Sequence, residues 1–158
     1  MKVIPLFLVL MNPVFADVVE YTLQSSDTTN CPTHLVLEDN LNQVELSLNS
    51  DMGAYFNKDS SEGNLIIENI NEGTQVVRST NSSHGTKSKT KYTANRENNI
   101  ISVTKEIKYG TFGSEKSESE LVLEFKESKL TIDFSRSYKE TFVTSWETSN
   151  NCIYNEIK

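Results

Sequence analysis

The chain has 158 residues, 36% hydrophobic and 23% charged, and its 15 basic against 22 acidic side chains give a formal net charge of −7. That length suits one domain, and the composition is too apolar for a disordered chain yet too polar for a multispan membrane protein. The acidity, with a pI of about 4.9, disfavours a phosphate-backbone partner, so nucleic-acid binding is not expected.

The chain opens with Lys2, an apolar run from Val3 to Met11, a helix-breaking Asn12-Pro13 and then Val14-Phe15-Ala16. This is the pattern of a signal peptide, and cleavage is expected after Ala16 because the peptidase takes a small side chain there. The run is short for a spanning helix, which needs about 20 residues. Residues 1–16 are therefore expected to be removed, leaving residues 17–158 as a single secreted or periplasmic β domain. Removal takes away Lys2 and no acidic residue, so 14 basic side chains face 22 acidic ones and the net charge becomes −8.

No segment sustains an apolar pattern at helical period, whereas alternation at period two recurs along the whole length. A first strand is expected over residues 18–24. Leu35 and Leu37, then Val44, Leu46 and Leu48, flank a turn rich in Asn and Asp at residues 39–42, which predicts a hairpin. Residues 49–64, rich in Ser, Asp, Asn and Gly, read as the longest loop. Runs at 65–70 and 74–80 flank Asn71-Glu72-Gly73, where Gly73 suits a left-handed turn position, so a second hairpin is expected. Strands are predicted over 86–94, 100–109 and 115–125. After a turn at 126–129, Leu130, Ile132, Phe134, Tyr138, Phe142 and Trp146 share one face of a long alternating run. Short sequential connections imply antiparallel neighbours, and a meander of about 8–10 strands tends to curl shut. An all-β, up-and-down barrel is the expected architecture, with a two-sheet β-sandwich as the alternative.

Cys31 and Cys152 are the only two cysteines, and in an oxidising compartment they are expected to form a disulfide. Closing so long a loop stabilises a fold by up to roughly 5 kcal/mol in the chain-entropy model. Catalytic chemistry is poorly supported. There is no Gly-x-Ser-x-Gly nucleophile turn, and His34 and His84, the only two histidines, nominate no third zinc ligand. Residues 57–68 space their oxygen side chains like a calcium loop, but Gly63 stands one place late and the flanks read as strands. No metal, no cofactor and no enzyme activity are expected, and a hydrolase is the weakest reading.

Aromatic positions Tyr92, Tyr109, Phe134, Tyr138, Phe142 and Trp146 are the candidates to line a ligand site. Lys87, Lys89 and Lys91 alternate with hydroxyl-bearing residues, which puts three ammonium groups on one face of a strand as a candidate anion-binding stripe. Asn81-Ser82-Ser83 is a glycosylation sequon in a eukaryotic secretory pathway. The leading functional reading is an exported, non-enzymatic interaction protein, monomeric and without a membrane span, whose acidic surface engages a protein or cell-surface partner. The alternative is a lipocalin-like barrel holding a small amphipathic ligand, although the early Gly-x-Trp of lipocalins is absent and Trp146 lies near the other end.

Alkylation of the denatured, unreduced protein should label neither Cys31 nor Cys152. Labelling of both would remove the disulfide.

Overall fold

The computed structural model describes residues 17–29, 31–40, 42–47, 52–80, 87–110, 115–140 and 145–158. In chain order these form β1 (Asp17–Ser26), β2 (His34–Asp39), β3 (Val44–Ser47), α1 (Met52–Phe56), β4 (Leu65–Ile67), β5 (Gln75–Thr80), β6 (Lys87–Glu97), β7 (Ile100–Tyr109), β8 (Glu115–Lys126), β9 (Lys129–Glu140) and β10 (Ser145–Glu156). The expected signal peptide, Asn81, His84 and Phe142 lie outside the described residues.

All ten strands belong to one antiparallel sheet, ordered β4-β3-β2-β1-β10-β9-β8-β7-β6-β5. The first and last strands pair, with Tyr21 opposite Glu156 and Ser26 opposite Cys152. The terminal strands thus sit in the middle of the sheet, and the break in the meander falls between β4 and β5. No ladder joins those two strands among the described residues, so the expected barrel is not closed by hydrogen bonds, and a single sheet replaces the alternative sandwich.

Three further expectations need correction. The hairpin expected from residues 65–70 and 74–80 does not form; β4 pairs with β3 and β5 with β6, at opposite edges of the sheet. Its connection turns inward instead. Ile70 is buried, and Asn69, Asn71 and Gly73 take positive φ. The Ile70 amide donates to the Asn42 carbonyl at 3.3 Å and the Asn71 amide to the Ala94 carbonyl at 2.9 Å. The long run expected from Leu130 to Trp146 is two strands, and Trp146 returns to lie opposite Tyr138. The expected loop at 49–64 contains α1, because Met52 and Phe56 find an apolar face to bury against.

The two arms of the sheet share one core. Leu35, Leu46 and Ile67 from one arm cluster with Ile101, Leu121 and Leu130 from the other. Where the arms meet, the Arg96 guanidinium on β6 pairs with the Asp39 carboxylate on β2 at 2.7 Å, and the Arg96 amide donates to the Asn71 side chain at 2.8 Å. The segment between β4 and β5 therefore laces this end of the curled sheet with local contacts in place of a ladder. Inside the curl, Phe56 of α1 meets the Phe134 ring edge-on at 6.1 Å. Cys31, in the β1–β2 connection, is disulfide-bonded to Cys152 on β10 across a sequence separation of 121, with Cα atoms 5.9 Å apart. That bond is consistent with an oxidising extracellular compartment. No described helix is long and apolar enough to cross a membrane.

Gly53 is where α1 passes beneath the following turn. A Cβ there would stand 2.5 Å from the Gly63 carbonyl oxygen and 2.9 Å from that of Asn64. Ala is the better helix former by about 1 kcal/mol, yet Gly53→Ala should destabilise the fold by about 1–3 kcal/mol because backbone must move to admit the methyl. The denaturant midpoint measures this, and an unchanged or higher midpoint would contradict the packing.

Candidate functional site

The registers of β6 to β10 stack inward-facing side chains in transverse rows. Arg96, Ile101, Leu123, Ile132 and Cys152 form one row, and Ala94, Val103, Leu121, Phe134 and Asn150 the next. These hold much of the apolar core. The third row is Tyr92, Lys105, Ser119, Arg136 and Thr148, and the fourth Thr90, Ile107, Ser117, Tyr138 and Trp146. Thus the inner face is apolar where the sheet is laced and turns polar and aromatic toward the end where β5, β7 and β9 finish.

Helix α1 covers the boundary between the two regions. Asn57, which follows the helix, is buried and fully engaged. Its amide nitrogen donates to the Ser61 carbonyl at 3.1 Å, the Ser61 hydroxyl at 3.0 Å and the Asn64 carbonyl at 2.8 Å, and its side-chain oxygen accepts from the Ile66 amide at 2.6 Å. Lys58 donates to Asn69 at 2.7 Å. These side chains, which open the calcium-like spacing, are spent on holding their own loop.

Lys105 is only 2% exposed. Its ammonium donates to the Asn57 carbonyl at 2.5 Å and to the Ser60 hydroxyl at 2.8 Å, so a cation caps the carbonyl end of α1, where the helix dipole favours one. Burial pushes Lys105 down from 10.5 to about 8; Asp59 opposes that shift and the nearby Arg136 guanidinium adds to it.

Arg136 is the centre of the polar end. Its guanidinium carbon lies 3.5 Å from the Tyr55 ring centroid and 5.1 Å from that of Trp146, and Trp146 stacks on Tyr138 with centroids 6.2 Å apart and planes at 22°. Tyr55 is 36% and Trp146 42% exposed. Among the described residues the buried Arg136 Nε has no hydrogen-bond partner and no carboxylate pairs with Arg136. Burial raises the pKa of Tyr109, against the pull of Arg136. Desolvation, followed by a hydrogen bond to Glu115, raises that of Tyr138.

Of the aromatics singled out from sequence, Tyr138 and Trp146 meet at this end, with Tyr109 half-buried nearby. Tyr92 and Phe134 are core residues, Tyr92 fully buried with its phenol pushed up to about 12 by desolvation. Lys87, Lys89 and Lys91 are exposed on the opposite face, and Lys91 lies 3.7 Å from Glu106. Sequence reasoning passed over Arg136 and Lys105. The signal was present: both interrupt an alternating apolar run at an inward-facing position, where a charge requires a partner. Comparison of the chain with protein-family models, curated proteins and solved structures finds no match.

The Lys105 shift carries a pH signature. Its folded pKa lies below its unfolded value, so the burial penalty is full below pH about 8 and fades as pH rises toward 10.5. Tyr92 and Tyr154, both raised to about 12, act oppositely above pH about 10, where the unfolded chain releases phenol protons that the fold retains. Urea unfolding between pH 7.5 and 10 should therefore show the wild type gaining stability relative to Lys105→Met. A constant difference across that window would contradict the burial of the ammonium.

Proposed function

We propose that the chain is an exported, non-enzymatic interaction protein whose contact centre is the Arg136 guanidinium between Tyr55 and Trp146, flanked by Tyr138. The carrying observation is a cation stacked on two partly exposed aromatic rings, 3.5 and 5.1 Å from their centroids, with no carboxylate partner among the described residues. Arg, Trp and Tyr are the side chains that dominate binding energy at interfaces. A stacked guanidinium is preorganised to receive a carboxylate through two parallel hydrogen bonds. The net charge of −8 after leader removal would speed encounter with a partner basic overall, while Arg136 would fix its register on one acidic group.

A second reading, a small amphipathic ligand held at the same end, is favoured by the flat Tyr138–Trp146 stack. The filled apolar rows argue against a deep lipocalin-like cavity.

Immobilised wild-type protein should retain a discrete partner from the medium of its own host at low salt, with retention falling as ionic strength rises. Arg136→Ala should weaken that retention roughly thirty-fold, the share of a hot spot worth about 2 kcal/mol. Equal retention by the variant would remove Arg136 from the contact. A native mass exceeding the denatured mass by a ligand-sized amount would instead favour the small-molecule reading.

A further inference from the structure

The basic side chains of the outer face are aligned across the strands. The ladders set Arg78 opposite Lys89, Lys89 opposite Lys108, Lys108 opposite Lys116 and Lys116 opposite Lys139. One cation per strand thus forms a transverse row over β5 to β9, about 19 Å long at roughly 4.8 Å per strand. Arg78, Lys89, Lys108 and Lys139 are exposed and Lys116 is half-buried.

Like charges directly opposite one another weaken a ladder. Four such pairs in succession, in a chain of net charge −7, are an arrangement that the ladders themselves disfavour. Glu106 relieves only the middle, lying 3.6 Å from Lys108 and 3.0 Å from Lys116, while Glu118 lies 2.5 Å from Lys116. Arg78, Lys89 and Lys139 have no ion pair among the described residues, and Lys87 stands exposed beside them.

We propose that this row binds a linear acidic polysaccharide, whose sulfate or carboxylate groups meet the cations strand by strand. The row is single-file, which fits a polymer lying across the strands. An anionic lipid surface would also meet Glu106, Glu118, Glu120, Glu124 and Glu147 on the same face. A single-stranded nucleic acid would need aromatic platforms for its bases, and the described outward positions of β5 to β9 carry none. The row lies on the face opposite Arg136, so it stands or falls independently of the contact centre proposed above.

The disulfide-bonded protein is applied to immobilised heparin at low salt and titrated in solution with dextran sulfate. Wild type should bind both, despite its net negative charge. The triple variant Lys89→Gln, Lys108→Gln, Lys139→Gln should bind at least ten-fold more weakly. Its slope of log affinity against log salt should be shallower by about 2, the share of three contacts at roughly 0.7 each. A control with equal charge loss elsewhere, Lys126→Gln, Lys129→Gln, Lys158→Gln, should keep wild-type affinity. An unchanged or higher thermal midpoint verifies folding of the triple variant, and single Lys89→Gln, expected to weaken binding in the same direction, serves if the triple variant unfolds. Failure of wild type to bind, or equal loss in the control, would overturn the proposal. So would tighter binding to oligothymidylate or phosphatidylglycerol vesicles than to dextran sulfate.

Discussion

The ladder between β1 and β10 is the pairing on which the remaining architecture depends. An antiparallel meander whose ends do not pair leaves its first and last strands as the exposed edges. Here the ends take each other as partners, Tyr21 against Glu156 and Leu23 against Tyr154, so two arms extend from a central seam and the interruption moves to β4 and β5. The Cys31–Cys152 bond lies beside that ladder and constrains the same long-range closure in the unfolded chain. A fold centred on contacts between its two ends has a high contact order, and slow folding is the usual consequence.

Moving the break to β4 and β5 leaves a gap that the chain covers without a ladder. Ile70 is buried there, Asn71 bridges to β6, and Arg96 reaches Asp39 across the arms. Helix α1 fills the interior near the other end, and the carbonyl of Asn57 just beyond it accounts for the buried lysine: a helix terminus inside a sheet needs a donor, and Lys105 on β7 supplies one. Satisfaction of Asn57 on every side and of Lys105 by two acceptors turns a costly polar layer into one that specifies where α1 sits.

The molecule also carries an electrostatic contrast between its two faces and its overall charge. The chain is acidic overall, yet each of its two unusual surface arrangements is cationic. Inside, Arg136 lies against aromatic rings at the end of the curl. Outside, a file of Lys and Arg crosses β5 to β9. On an acidic background each is proposed as a local anion acceptor, with the surrounding carboxylates disfavouring anions elsewhere.

Strand content, the facing of most side chains and the cysteine pairing were legible in the sequence, because alternation at period two and the presence of two cysteines are local facts. Alternation puts Lys87, Lys89 and Lys91 together on one face of their strand and Leu130, Ile132 and Phe134 together on one face of theirs, and the structure exposes the first set and buries the second. The same alternation carries the signal that Lys105 and Arg136 are charges in inward register, but their partners come from α1, which is distant in sequence and lies in a segment that reads as loop. What period two cannot encode is which strand lies beside which. The β1–β10 ladder, the failure of the hairpin around Asn71, the return of Trp146 onto Tyr138 and the alignment of Arg78 through Lys139 all depend on pairing between segments. Only the tertiary structure decides these, because register follows from how the whole sheet buries its inner face, and no local window of sequence contains that constraint.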